Sequence, residues 1–205
     1  MAITVDQFLG LLNGSRETRA VEFKAGGPRI NNTVLFAFVA RAVLAMTNLP
    51  LGGWIVLGIQ DDGSLNGLTD GDLATWFEHD ELTAGLNAYA DPFVQVDVDD
   101  VTYDGKRFVV IRVHEFEEIP VLARKDSPPK TDGKLVIRRG ACYVRPRLQA
   151  ASVEVPTQTE MRELLDAAAD KMLKRFLARA GAAGVTLAPS ESDVEKFETQ
   201  LGWFR

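Results

Sequence analysis

Residues 31–59 carry one charge, Arg41, and that restricts the fold more than any other feature of the chain. The stretch reads in two parts. Asn31 and Asn32 are N-cap candidates for a helix running to about Thr47. Such a helix is apolar nearly all round, so it belongs at the centre of a domain. Asn48-Leu-Pro-Leu-Gly-Gly53 ends it. Trp54 to Ile59 then forms a continuous apolar strand, consistent with burial on both faces. A buried helix leading into a doubly buried strand needs further layers around both. The expectation is an α+β domain with a mixed sheet and packed helices.

The remaining segments fit that frame. Val5 to Leu12 reads as a short helix with Phe8, Leu11 and Leu12 on one side. Ala20 to Lys24 alternates as a strand, and Ala25-Gly-Gly-Pro28 breaks it. Asp62-Gly63 is a tight-turn signal that should reverse the chain. Asp70 to Ala90 has helical spacing at Leu73, Trp76, Phe77, Leu82 and Leu86. Phe93 to Val101 and Phe108 to Val113 alternate as strands joined at Asp104-Gly105. Lys134 to Ile137 and Cys142 to Arg145 read as a second strand pair around Arg139-Gly140. Near Val155-Pro156 the pattern turns helical. Thr157 or Thr159 can cap a long helix with Met161, Leu164, Leu165, Ala168, Met172, Phe176 and Leu177 at helical spacing. Gly181-Ala-Ala-Gly184 stops it, and Ser190 to Leu201 reads as a last short helix. The expected division is a domain over 1–155 and a helical C-terminal extension over 156–205. The apolar stripe of the long helix either docks on the parent domain or joins two copies as a homodimer; docking is favoured, because short appended helices need a surface.

Composition excludes several classes. The 205 residues suffice for one domain with an appendage, and 46% apolar content supports a real core. A single cysteine, Cys142, leaves no disulfide framework and no cysteine-based zinc cluster. Lone cysteine usage fits a reducing cytoplasm. The N-terminus lacks the basic and apolar regions of a signal peptide. The most apolar window, Val34 to Leu57, is interrupted by Arg41, Asn48, Pro50 and two glycines, so no membrane span is expected. There is no phosphate-binding Gly-x-x-x-x-Gly-Lys-Ser/Thr loop and no Gly-x-Gly-x-x-Gly. Cys142 reads as a packed thiol, and His114 as a hydrogen-bonded surface residue before a general base.

Charge is unevenly spread. Residues 61–120 hold fifteen Asp/Glu against three Lys/Arg, whereas 121–147 hold eight Lys/Arg against Asp126 and Asp132. The overall balance of -6 argues against nucleic acid, but the local basic block argues for an anionic partner. Its other reading is a solvated basic hairpin.

The run Glu17-Thr-Arg-Ala-Val-Glu22-Phe-Lys24 places two carboxylates five residues apart, at the edge of a strand. Asp61 and Asp62 follow the apolar strand. Together these clusters form either a three-carboxylate site or ordinary solvated turns. Three carboxylates within about 5 Å repel one another unless a cation enters. Mg²⁺ or Mn²⁺ would supply it, and with it the means to orient a phosphate and activate water. Lys24 shares a strand face with Glu22 and either neutralises a carboxylate or meets a phosphate.

These residues carry a resemblance. The Glu17 to Lys24 run is similar to the opening motif of the Schlafen-type AlbA domain family. The order continues with Ala45-Met-Thr-Asn48, Gly52-Gly53, Gly58-Ile-Gln-Asp61-Asp-Gly63, Gly67, Pro120 and Tyr143-Val-Arg145. The match covers roughly residues 13 to 165. Leu49-Pro-Leu51 are extra, and Pro146-Arg-Leu-Gln149 replaces a Gly-Ser-Thr-like segment.

The resemblance implies an α+β nucleic-acid-binding domain, with RNA favoured over DNA. It also implies two activities. Some Schlafen proteins are metal-dependent ribonucleases that cut transfer RNA, and their acidic residues fall by position on Glu17, Glu22 and Asp61. Many bacterial relatives are described only as DNA-binding or regulatory. The leading expectation is a divalent-metal-dependent RNA endonuclease acting on transfer RNA or other structured RNA, with Mg²⁺ or Mn²⁺ at Glu17, Glu22 and Asp61. The alternative is a non-catalytic DNA- or RNA-binding module with a regulatory role; an assembly subunit is a third. The expected nucleic-acid contacts are Lys24, Arg124, Lys125, Arg138, Arg139, Arg145 and Arg147.

Overall fold

The computed structural model describes residues 3–12 and 17–184. The helix expected over Ser190 to Leu201 lies outside them. The chain divides into two compact units, Met1–Ala168 and Ala169–Arg205. The elements run α1 (Val5–Leu12), β1 (Val21–Lys24), α2 (Thr33–Thr47), β2 (Gly53–Leu57), α3 (Asp70–Ala74), α4 (His79–Asn87), β3 (Ala90–Asp91), β4 (Val96–Tyr103), β5 (Lys106–Val113), β6 (Leu122–Ala123), β7 (Tyr143–Val144), β8 (Val153–Glu154) and α5 (Gln158–Ala182). This is the expected α+β architecture with a long C-terminal helix.

The main sheet has the order β1-β2-β5-β4. β1 runs parallel to β2, and the other pairings are antiparallel. β2 is buried on both faces, as its unbroken apolar run requires. On one side Ile55 and Leu57, with Val109, Ile111 and Val113 of β5, join Ala42, Val43, Leu44 and Met46 of α2. On the other, Val56 meets Phe8 of α1, Val101 and Phe108. α2 is the central helix: Asn32 caps it by accepting from the Leu35 N–H at 3.1 Å. Two glycines between helix and strand allow this layering. Gly52 has φ 70°, and a Cβ there would lie 2.0 Å from the Val113 carbonyl oxygen. A two-residue turn at Asp104-Gly105, both at positive φ, joins β4 to β5.

Two expectations are corrected. Asp70 to Ala90 is two short helices instead of one. Thr69 caps α3, and at its end Arg29 Nε takes the Thr75 carbonyl at 2.7 Å, an acceptor that a continuing helix would need. Trp76, fully buried, donates Nε1–H to the Gly27 carbonyl at 2.9 Å and anchors the break. The second correction concerns 134–145. Lys134 to Ile137 does not pair with Cys142 to Arg145. Ser127 N–H donates to the Ile137 carbonyl, Gly140 N–H to Ala123 and Ala123 N–H to Ala141, which sets 137–141 against 123–127. β7 pairs with β8.

In α5, Leu164 and Ala168 are buried in the main core of the first unit. Thr157 is the capping residue, with its hydroxyl bonded to Glu160 and accepting from Thr159 N–H. Among the described residues no helix is long and apolar enough to cross a membrane.

Candidate functional site

β1 places Glu22 opposite Ile55 of β2, facing the main core at the sheet edge. Only 4% of Glu22 is exposed. Its Oε1 meets Lys24 Nζ at 2.6 Å, the same-face contact expected two residues along a strand. Its Oε2 accepts from the Ser152 hydroxyl at 2.9 Å and from Arg145 Nη1. Glu17 precedes the strand; its Oε1 accepts the Phe23 N–H at 2.9 Å and lies 3.9 Å from Lys24 Nζ. Lys24 thus bridges Glu17 and Glu22.

Asp61 and Asp62 follow the C-terminal end of β2, the end that adjoins Lys24, in an exposed turn. Asp62 serves that turn by accepting the Ser64 N–H at 2.8 Å; the Ser64 side chain first, and this N–H second, hold its carboxyl below the usual value. Asp61 makes no hydrogen bond or ion pair with Glu17, Glu22 or Lys24. No group of three His, Cys, Asp or Glu among the described residues is arranged to hold a metal ion. Glu22 already faces an ammonium and a guanidinium, so a divalent ion would have to displace Lys24. As arranged, the Lys24 ammonium holds the place that Mg²⁺ or Mn²⁺ would take between Glu17 and Glu22.

Arg145, expected to contact nucleic acid, does not belong to an interface. It is 1% exposed, and burial pulls its guanidinium below the ordinary value, opposed by the charges of Glu22 and Glu17. It donates to the carbonyls of Arg19 and Thr18, both at 2.7 Å, and to Val21 at 3.3 Å. Arg19 returns a bond to the Arg145 carbonyl at 2.6 Å and grips Glu163 of α5 with two bonds at 2.8 and 2.7 Å. This network ties the entry of β1 to the exit of β7 and to α5.

The other expected contact residues of the block are exposed: Arg124, Lys125, Arg138, Arg139 and Arg147. The backbone bonds between 123–127 and 137–141 bring the first four onto neighbouring segments. Lys125 Nζ sits 4.6 Å from the Tyr89 ring centre. Arg138 pairs with Glu154, and Arg147 Nε is 3.5 Å from Glu163. Arg124 and Arg139 have no ion-pair partner among the described residues. Lys24 stands apart from this cluster, held by Glu22.

Three structural residues were not assigned roles from sequence. Asn48 is buried; it donates to the Val121 and Tyr143 carbonyls at 2.8 and 3.0 Å and accepts the Val121 N–H at 2.7 Å. It stitches the end of α2 to two later segments. Ser152 completes the Glu22–Arg145 pair. Arg41, half-buried on α2, stacks 5.1 Å from the Phe38 ring centre, and its Nε is sealed from solvent without a partner among the described residues. Its being the only charge in α2 is the signal that marks it. Burial pushes the Cys142 thiol up to about 11, as befits a packed side chain. His114 Nε2 is 2.6 Å from Asp97 Oδ2, at the surface.

A sequence profile for the family described as Schlafen, AlbA_2 matches residues 17–146. No curated protein matches the chain. Among solved structures, the DIP2311 protein of Corynebacterium diphtheriae is 21% identical, with a TM-score of 0.48 over 78% of this chain. The chain spans 27% of that protein's length. The N-terminal domain of a DNA-helicase RecG-related protein of Nitrosomonas europaea is 23% identical, with a TM-score of 0.41 over 65% of this chain and 86% of that domain.

Proposed function

The chain belongs to the Schlafen AlbA_2 family, and from that premise we propose that it is a nucleic-acid-binding protein whose contact surface is the basic cluster of Arg124, Lys125, Arg138 and Arg139. One observation carries this reading. Two chain segments are zipped together by backbone bonds at 123–127 and 137–141, and each brings two exposed cations to the same place. Clustered exposed arginines and lysines attract a phosphate backbone by displacing its counterions. The net charge of -6 is no obstacle when the acidic residues are concentrated elsewhere in the sequence, because screening limits their reach to about 10 Å at 0.1 M salt. RNA is favoured over DNA. The test is equilibrium binding of a folded RNA, a single-stranded RNA and a DNA duplex across a salt series. Affinity falling steeply with salt is expected; no binding to any of the three at low salt would remove the reading.

Metal-dependent RNA cleavage at Glu17, Glu22 and Asp61 is a second reading. It is favoured by one contact, the sharing of Lys24 Nζ by Glu17 and Glu22, since two carboxylates around one cation are the start of a metal site. It requires Lys24 to leave Glu22 and Asp61 to approach. Incubating the protein with transfer RNA and other folded RNAs in Mg²⁺ or Mn²⁺, with and without chelator, tests it. Chelator-sensitive cleavage lost in Glu17→Gln supports it. Intact RNA throughout leaves the binding module alone.

A further inference from the structure

A cavity of about 460 Å³ opens between α2, the segment 134–138 and β8. Arg41, Lys134 and Arg138 line it, with Tyr143, Ser152 and Glu154. Three cations face one carboxylate. Glu154 is engaged by Arg138, which leaves Arg41 and Lys134 without an ion-pair partner among the described residues. The Arg41 Nε is buried with nothing to donate to among the described residues. An unsatisfied buried donor is unfavourable, and a site that keeps one is waiting for an acceptor. Nε is one corner of the planar fork that holds a phosphate by two parallel bonds. Tyr143 adds a donor: its hydroxyl oxygen accepts the Arg138 N–H at 2.8 Å, and its own proton has no acceptor among the described residues.

We propose that this cavity is a phosphate-binding subsite, in which Arg41 and Lys134 hold the anion and Tyr143 donates to it. That the phosphate belongs to a nucleic-acid backbone rests on the nucleic-acid-binding reading above. The subsite lies next to the basic cluster through Arg138. It also touches the acidic motif, because Ser152 lines the cavity and donates to Glu22 Oε2 at 2.9 Å. A strand crossing the basic cluster would therefore set one phosphate beside the buried Glu22 pair. The volume admits a phosphate with part of its nucleotide, as ligand cavities of this size do.

The experiment has two arms on the full chain. In the first, inorganic phosphate is titrated against chloride of equal ionic strength while amide resonances are followed by NMR. The amides of 135–138 and 152–154 are expected to shift saturably, and the shift should vanish in Arg41→Met and weaken severalfold in Lys134→Ala. Unmoved amides, or wild-type shifts in folded Arg41→Met, overturn the subsite. If Arg41→Met does not fold, Lys134→Ala decides, since Lys134 is exposed and absent from the core. The second arm measures RNA and duplex DNA binding across salt. Loss of about one unit from the log–log salt slope in Arg41→Met/Lys134→Ala, with roughly tenfold weaker binding, assigns the phosphate to the backbone. Phosphate shifts without any nucleic-acid binding uphold the subsite for free phosphate and reject the nucleic-acid reading. Nucleic-acid binding with no phosphate shifts does the reverse.

Discussion

Arg145 and Glu22 form a buried ion pair across 123 residues of sequence, closed by Ser152. The pair joins two motifs that lie near opposite ends of the family match. Removing Glu22 leaves a buried guanidinium without its carboxylate, and removing Arg145 leaves Glu22 with Lys24 alone and strands the carbonyls of Thr18 and Arg19; breaking a buried pair typically costs about 3–5 kcal/mol. Glu22→Ala and Arg145→Ala should each lower the urea midpoint strongly. The double substitution Glu22→Met/Arg145→Met should recover much of the loss, because an apolar pair needs no desolvated charge. Single variants with wild-type midpoints would show that the pair is not structural. Where Glu22→Ala is destabilised as expected, loss of activity in it is ambiguous between chemistry and folding, so Glu17→Gln is the cleaner probe of cleavage.

Exposed Arg124 and Arg139 lack ion-pair partners among the described residues, so reversing them should remove phosphate contacts without harming the fold. Arg124→Glu/Arg139→Glu should weaken binding to RNA and DNA alike. The salt slope should fall by roughly 0.9 for each lost duplex phosphate contact. Arg147→Ala should matter less, since its Nε already lies 3.5 Å from Glu163. Equal affinity and slope in the charge-reversed variant would place the binding surface elsewhere.

The core was legible because its pattern was extreme. One charge in residues 31–59 marked α2 and β2, and Asp104-Gly105 marked the hairpin. Legibility failed where tertiary partners overrode local spacing. Apolar periodicity ran on through Thr75, and nothing local reveals that Arg29 takes its carbonyl. Residues 134–145 looked like a hairpin, yet 137–141 pair back onto 123–127 and β7 pairs forward onto β8. At the site, Glu22, Lys24 and Glu17 were found by motif and do meet. The burial of Arg145 was hidden because the same Tyr-Val-Arg run suits an exposed strand or a core clasp. Arg41 was visible as an isolated charge, but its cavity depends on two segments distant in sequence.

Cys142 offers a check on packing around β7. Its thiol is pushed up to about 11 by burial, so at pH 8 the reactive thiolate is scarce. An aromatic disulfide reagent should label native protein far more slowly than urea-unfolded protein. The native rate should still be rising with pH at 9. Native labelling as fast as unfolded would mean that the segment 142–145 is open, which would also undercut the Arg145 clasp.

Acid should loosen the grip of Arg19 on α5. The Glu163 carboxyl is held below its ordinary value of 4.5 chiefly by its hydrogen bonds with Arg19, with burial opposing and Arg147 assisting. A carboxyl depressed in the folded state binds its proton more readily in the unfolded chain. Its contribution is therefore fully present above pH 4.5 and is lost as pH falls through the lower folded value. The pair is partly exposed, so the effect should be at most about 1 kcal/mol. Urea midpoints measured from pH 6 to pH 3 should fall for wild type more steeply than for Glu163→Gln, with the two curves converging at the acid end. Because the remaining carboxylates are common to both proteins, only the difference between the curves reports on Glu163. Parallel curves across the whole range would show that the Arg19–Glu163 contact contributes nothing measurable to stability.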